Sequence, residues 1–156
     1  MSILMGRLPE ARILDLFSGS GALGLEALSR GASHVTFVER SRGAIRVLER
    51  NVDQLEAGEL VRIVHGDAMT SLPRWEDGAE PPFDIALADP PYDKGYAAML
   101  LERFSRAPFA RELWVEHRTA EDLGLEALSA LEPEQRRYGD TALTGVFHPV
   151  TGANSE

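Results

Sequence analysis

Asp89-Pro90-Pro91-Tyr92 follows the apolar run Ile85-Ala86-Leu87-Ala88. Two consecutive prolines remove two backbone donors and fix φ at both positions, so a strand that enters them ends in a rigid turn. Such a turn holds the Asp89 carboxylate and the Pro90 carbonyl as two acceptors at the strand's C-terminal end. Two fixed acceptors can grip an exocyclic –NH2 by both hydrogens. Tyr92 adds a flat face on which a base can stack, worth about 1–3 kcal/mol. Read alone, the tetrapeptide is also compatible with a rigid loop carrying a chance aromatic.

Gly19-x-Gly21-x-x-Gly24 lies between an apolar run ending in Leu16-Phe17 and a Leu-rich stretch. Glycines at a strand-to-helix turn let the backbone approach a ligand, and a helix N-terminus favours polar or anionic groups. Glu39 closes the next apolar run about 20 residues on, where a carboxylate can accept from both hydroxyls of a ribose. The glycines and the acid together favour a nucleoside, and leave nicotinamide dinucleotide and S-adenosylmethionine both open.

Asp15, inside the first run, bears on that choice. A buried Asp needs a partner. It could meet the amino group of a methionine moiety, or make a local hydrogen bond to the glycine turn; the ligand role is the expectation. Asp67, after the third run, can accept from an adenine amino group, although alone it reads as an ordinary strand-ending Asp.

Other candidates have plainer readings. Arg40, Arg42, Arg46 and Arg50 read as a solvated helix face paired with Glu49 and Asp53. His117 reads as an edge-of-sheet histidine with no chemical duty. Arg136, Arg137 and Tyr138 precede a hairpin turn, where RNA contact is conceivable. Gly24–Ser29 and Gly124–Ser129 both read GLEALS, a coincidence among common helix formers.

The elements that must position these residues follow from periodicity. Strands are expected over 11–17, 35–38, 61–64, 85–88 and 113–116. Helices are expected around Leu23–Leu28, over 96–106 and over 119–131. A further helix is expected after the N-cap Ser41, with Ile45, Leu48, Val52 and Leu55 on one face. The segment 70–84, rich in proline and acid, reads as a solvated loop. Residues 135–138 and 141–147 read as a hairpin turning at Gly139-Asp140. Repeated β-α-β alternation means a doubly wound, mostly parallel α/β sheet with helices on both faces and an antiparallel C-terminal hairpin.

The chain has 156 residues, 44% hydrophobic and 26% charged, the profile of one globular domain rather than a disordered chain. Without cysteine there is no disulfide or thiolate site, and the four histidines lie far apart, so no metal is expected. No apolar run approaches the ~18–20 residues that cross a bilayer, and the first residues lack the pattern of a signal peptide. The expectation is a cytoplasmic protein without membrane contact. A net charge of −9 argues against coating naked nucleic acid, but not against an enzyme that inserts one nucleotide into a pocket.

These motifs resemble the class I S-adenosylmethionine-dependent methyltransferases that act on amino groups and carry the (D/N/S)PP(Y/F/W) signature. Asp15 to Ala32, then Phe37-Val38-Glu39-Arg40, His65-Gly66-Asp67-Ala68, Asp89 to Tyr92 and Arg136 to Leu143 resemble the bacterial 16S rRNA guanine-N2 methyltransferases of the RsmD type. The likeness runs from Ile3 to about Phe147. It implies a Rossmann-like methyltransferase domain over 1–150, a tail over 151–156, and a monomer working on 16S rRNA or the small subunit. It implies S-adenosylmethionine as cofactor, held by Asp15, Phe17, Ser18, Gly19, Gly21, Glu39, Arg40, Asp67 and Ala68. Asp89, Pro90, Pro91 and Tyr92 would hold the target guanine amine. Members of that family usually carry an Arg- and Gly-rich arm before the Ile3-Leu4 position, and this sequence is expected to be without it. Three other readings stay open: a DNA adenine-N6 methyltransferase, a nicotinamide-dependent oxidoreductase, and a non-catalytic cofactor-binding or assembly protein.

Overall fold

The five apolar runs become five parallel strands: β1 (Arg12–Leu16), β2 (His34–Glu39), β3 (Val61–His65), β4 (Phe83–Ala88) and β5 (Ala110–Arg118). The computed structural model describes residues 2–78 and 81–148; the expected tail over 151–156 lies outside them. A hairpin of β6 (Glu134–Tyr138) and β7 (Thr141–Phe147) completes a seven-stranded sheet in the order β3-β2-β1-β4-β5-β7-β6. β7 pairs antiparallel with both β5 and β6. The inner strands are apolar on both faces because helices cover both.

Alternate residues feed two cores. On one face Leu14, Leu16, Ala86, Leu113 and Val115 meet α5 (Tyr96–Arg106) through Leu100, Leu101 and Phe104. On the other, Ile13, Val35, Phe37, Ile85 and Trp114 meet Leu25 of α1 (Ala22–Ser29) and Leu48 and Val52 of α2 (Arg42–Gln54). The Ser41 hydroxyl accepts from the Ala44 N–H at 3.3 Å and caps α2. Leu55 lies past the helix end and is 58% exposed, so it leaves the buried face it was assigned.

The segment expected to be a solvated loop instead forms α3 (Ala68–Ser71) and α4 (Pro73–Glu76). Pro73 sits at the first helical position of α4, where its missing N–H costs nothing. Between the two helices Leu72 is fully buried, and Trp75 meets Phe83 edge-on at 5.4 Å. The expected helix over 119–131 is correct only at its end. Gly124 adopts left-handed φ, a 3-10 helix covers Leu125–Leu131, and Leu128 breaks its dihedrals.

His117 is not at a sheet edge. β5 lies between β4 and β7, and the ring is 1% exposed. Its Nδ1 lies 2.8 Å from the Arg118 carbonyl, which can only accept, and Nε2 lies 2.7 Å from the Thr144 hydroxyl. This is a satisfied buried ring between two strands.

A 3-10 helix over Ser2–Arg7 was not foreseen. Arg7 ties it down: its guanidinium donates to Glu112 at 3.0 Å and lies 5.8 Å from the Trp114 ring, whose indole N–H also donates to Glu112. No helix among the described residues is long and apolar enough to cross a membrane.

Candidate active site

Strand order reverses between β1 and β4, and ligands of open α/β sheets bind beyond the carboxyl ends of the strands at such a point. Leu16 pairs with Ala88, so the chain leaves both strands side by side, into Phe17-Ser18 from one and Asp89-Pro90 from the other.

The glycine loop is folded by its own backbone. The N–H and hydroxyl of Ser18 donate to the Val38 carbonyl at 3.1 and 3.2 Å, and Gly21 N–H donates to the Ser18 carbonyl at 2.8 Å. Phe17 takes a left-handed φ of 56°, uncommon for a residue with a side chain, which turns its ring against Tyr96 at 5.2 Å. Gly21 is required twice over. Its φ is 86°, and an added Cβ would come within 2.3 Å of Leu48 Cδ1.

α1 begins without a side-chain cap of its own. Asp15 supplies one from the neighbouring strand: its Oδ2 accepts the Gly24 N–H at 3.0 Å. The local reading of Asp15 is thus realised, while Oδ1 has no donor among the described residues. Burial pushes this carboxyl up to about 7. The Gly24 bond opposes that rise, and the charges of Asp89 and Glu39 add to it.

Glu39 closes the loop from β2. Its Oε1 accepts the Gly19 N–H at 3.0 Å and its Oε2 the Ser41 N–H at 2.8 Å. Each oxygen keeps one lone pair for a further donor. Asp67 is mainly a helix cap, accepting the Thr70 N–H at 3.1 Å, with Arg40 4.0 Å away. Ala68 is buried at the start of α3. No ion pair joins Arg46 or Arg50 to Glu49 or Asp53 among the described residues, so that expected pairing is not formed.

Phe17, Glu39 and Arg40 line a cavity of about 500 Å³ together with Asp89, Pro90, Pro91 and Tyr92. Lys94 and Tyr96 complete its wall. Asp15, Ser18, Gly19, Gly21, Asp67 and Ala68 are not among the residues of that wall. The Asp89 carboxyl is raised above the ordinary carboxylate range by partial burial first and by the Glu116 charge second.

Tyr92 is more constrained than a free stacking platform. Its hydroxyl donates to Glu116 Oε1 at 2.8 Å, and the Arg118 guanidinium lies 4.9 Å from its ring centroid. Arg118 is itself held by Asp93 at 3.1 Å. The bond to Glu116, with burial, drives the phenol up to about 12, so it stays a donor at neutral pH. Glu116, Arg118, Lys94 and Tyr96 escaped the sequence reading. Glu116 and Arg118 lie in the last residues of β5, and only the pairing of β5 beside β4 brings them to Tyr92 of the turn.

The model of the family described as conserved hypothetical protein 95 matches residues 1–146. Ribosomal RNA small subunit methyltransferase D of Escherichia coli strain K12 is 43% identical over 86 residues, 55% of this chain and 41% of that protein. The chain therefore aligns with about two fifths of that relative's length. A solved structure of a hypothetical protein from Thermus thermophilus superposes with a TM-score of 0.77 at 32% identity, covering 94% of this chain and 81% of that one. An RNA methyltransferase of Salinibacter ruber, solved with S-adenosyl-L-homocysteine, shares the fold at a TM-score of 0.68 and 12% identity, covering 99% of this chain and 95% of that one. The architecture is that of the class I methyltransferases, as the sequence reading expected.

Proposed function

The chain belongs to the conserved hypothetical protein 95 family, and we propose that it transfers a methyl group from S-adenosylmethionine to the 2-amino group of a guanine in 16S rRNA. One observation carries this reading: Glu39 and Asp89, an acceptor suited to a ribose and an acceptor suited to an amine, line one cavity.

The cavity fits the cofactor. Its volume of about 500 Å³ is in the range of small-molecule sites. At Gly19 even a Cβ would meet nothing within 4 Å, so the loop leaves room beside Glu39. Phe17, Ser18, Gly19, Gly21, Glu39 and Arg40 would hold the nucleoside and its tail. Asp67 and Ala68 would stand toward the adenine, and Asp15 supports the loop through its bond to the Gly24 N–H. When bound, S-adenosylmethionine supplies a methyl on a sulfonium, a carbon that an amine lone pair can take while sulfur keeps the bonding pair.

The rest is positioning by this chain. A guanine amine is a poor nucleophile because its lone pair is delocalised into the ring. Asp89 and the Pro90 carbonyl accept its two N–H bonds, which favours a more tetrahedral nitrogen and aims the lone pair; alignment of this kind contributes several kcal/mol. The same acceptors stabilise the positive charge that develops on nitrogen. The proton it then sheds passes to Asp89 or to water. Tyr92 stacks on the base, which must leave its own stack to enter. We assign this work to one domain over 1–150, acting as a monomer in the cytoplasm.

The test is mass spectrometry of 16S rRNA from cells with and without the gene, paired with calorimetry of the chain against S-adenosylmethionine. Loss of one N2-methylguanosine together with measurable cofactor binding is expected. An unchanged modification pattern refutes the reading.

A further inference from the structure

Glu116 stands apart from the residues so far given a role at the target base. Ala88 pairs with Val115 in the β4–β5 register, so Asp89, the first residue past β4, follows beside Glu116, which is still within β5. The Tyr92 hydroxyl holds Glu116 Oε1 at 2.8 Å and so fixes the carboxylate against the turn. No described residue donates to Oε2. That carboxylate borders a second cavity of about 390 Å³, whose wall includes Leu23, Leu87, Trp114 and Tyr138 and in which Glu116 is the one charged residue among those described.

Two neighbouring acceptors ask for a row of donors. The Watson–Crick edge of guanine offers one, with N1–H beside the 2-amino group. Adenine offers its 6-amino group beside a bare N1, whose lone pair would face a carboxylate with no proton between them. A site built around such a hydrogen bond rejects the analogue that lacks it, because the buried acceptor is left unpaired. We propose that Glu116 selects guanine as the target base: its Oε2 accepts N1–H while Asp89 and the Pro90 carbonyl hold the 2-amino group. This rests on the proposed methyl transfer and adds to it the residue that sets base specificity.

The experiment compares two RNA fragments that differ at the methylated position, one carrying guanine and the other 2-aminopurine. The analogue keeps the 2-amino acceptor but has a bare N1. Wild type should favour guanine in kcat/KM by roughly 10²-fold or more. Glu116→Gln, whose amide can turn its –NH2 toward N1, should shrink that ratio at least tenfold. Glu116→Ala should shrink it too, at lower rates on both substrates. Tyr92→Phe deletes the bond to Glu116 but keeps the carboxylate, and should retain the discrimination. If Glu116→Gln slows both substrates by one common factor, Glu116 only steadies Tyr92 and the inference is overturned, while the methyltransferase reading survives. A wild type that methylates no guanine RNA overturns the parent reading and this inference with it.

Discussion

The carboxylate of Asp15, on β1, accepts the backbone N–H of Gly24, in the first turn of α1, at 3.0 Å. One strand thus caps the helix that follows it, and the glycine loop between them is clamped at both ends. The carboxyl group that does this is 2% exposed.

A pH dependence follows. The Asp15 carboxyl rises from 3.8 to about 7 on folding. Between those values the folded state holds a proton that the unfolded state has lost, so this group lowers stability as pH rises from about 4 to about 7. Asp15→Asn keeps an acceptor for Gly24 and cannot ionise. Urea denaturation across that range should show a flatter pH profile for the variant, with the gain largest at pH 8. Parallel profiles in the two proteins would contradict the assignment.

Asp89→Ala should leave the fold and most of the cofactor affinity intact and cut methyl transfer by about 10²–10³-fold, by analogy with the loss of one oxyanion donor. Asn there should do less harm, since its amide oxygen still accepts. Single-turnover transfer to rRNA measures the first effect and calorimetry the second. A collapse of cofactor binding would make Asp89 a cofactor ligand instead.

Glu39 has a double duty that a substitution will expose. Glu39→Ala removes the proposed ribose acceptor and also frees the Gly19 and Ser41 N–H groups. Cofactor affinity should fall by about 1–3 kcal/mol, and the melting temperature should fall as well. Equal affinity by calorimetry would show the ribose assignment to be wrong.

Gly145 on β7 lies against the buried Trp114 ring, and a Cβ there would come within 2.6 Å of three ring carbons. The indole is held by Glu112 and packs edge-on to Phe147 at 5.9 Å. Gly145→Ala should therefore destabilise the protein by about 1–3 kcal/mol. A urea midpoint within error of wild type would mean that the ring can shift.

Where a local rule decided the structure, the sequence carried it. Ser41 caps α2, the two prolines end β4 at Asp89, and the glycines turn the chain after Phe17. Pro73 misled because proline reads as a breaker, yet at the first helical position it starts α4. The 119–131 stretch misled because helix-forming residues were outweighed by the left-handed turn at Gly124. At the site, Asp15 had two legible partners, and burial decided that the backbone one is always present. Glu116 and Arg118 were illegible because their roles depend on which strand lies beside β4, a property of register and not of composition.

The hairpin leaves β6 as the sheet's outer strand, and all five of its residues, Glu134-Gln135-Arg136-Arg137-Tyr138, are exposed. At the opposite border β3 presents Arg62 and His65 to solvent. An unpaired strand is a template for edge-to-edge growth, and charge along it is one way proteins prevent that. Two molecules meeting β6 to β6 in antiparallel register would bring basic side chains of both into one row. Charge along this border would oppose that pairing.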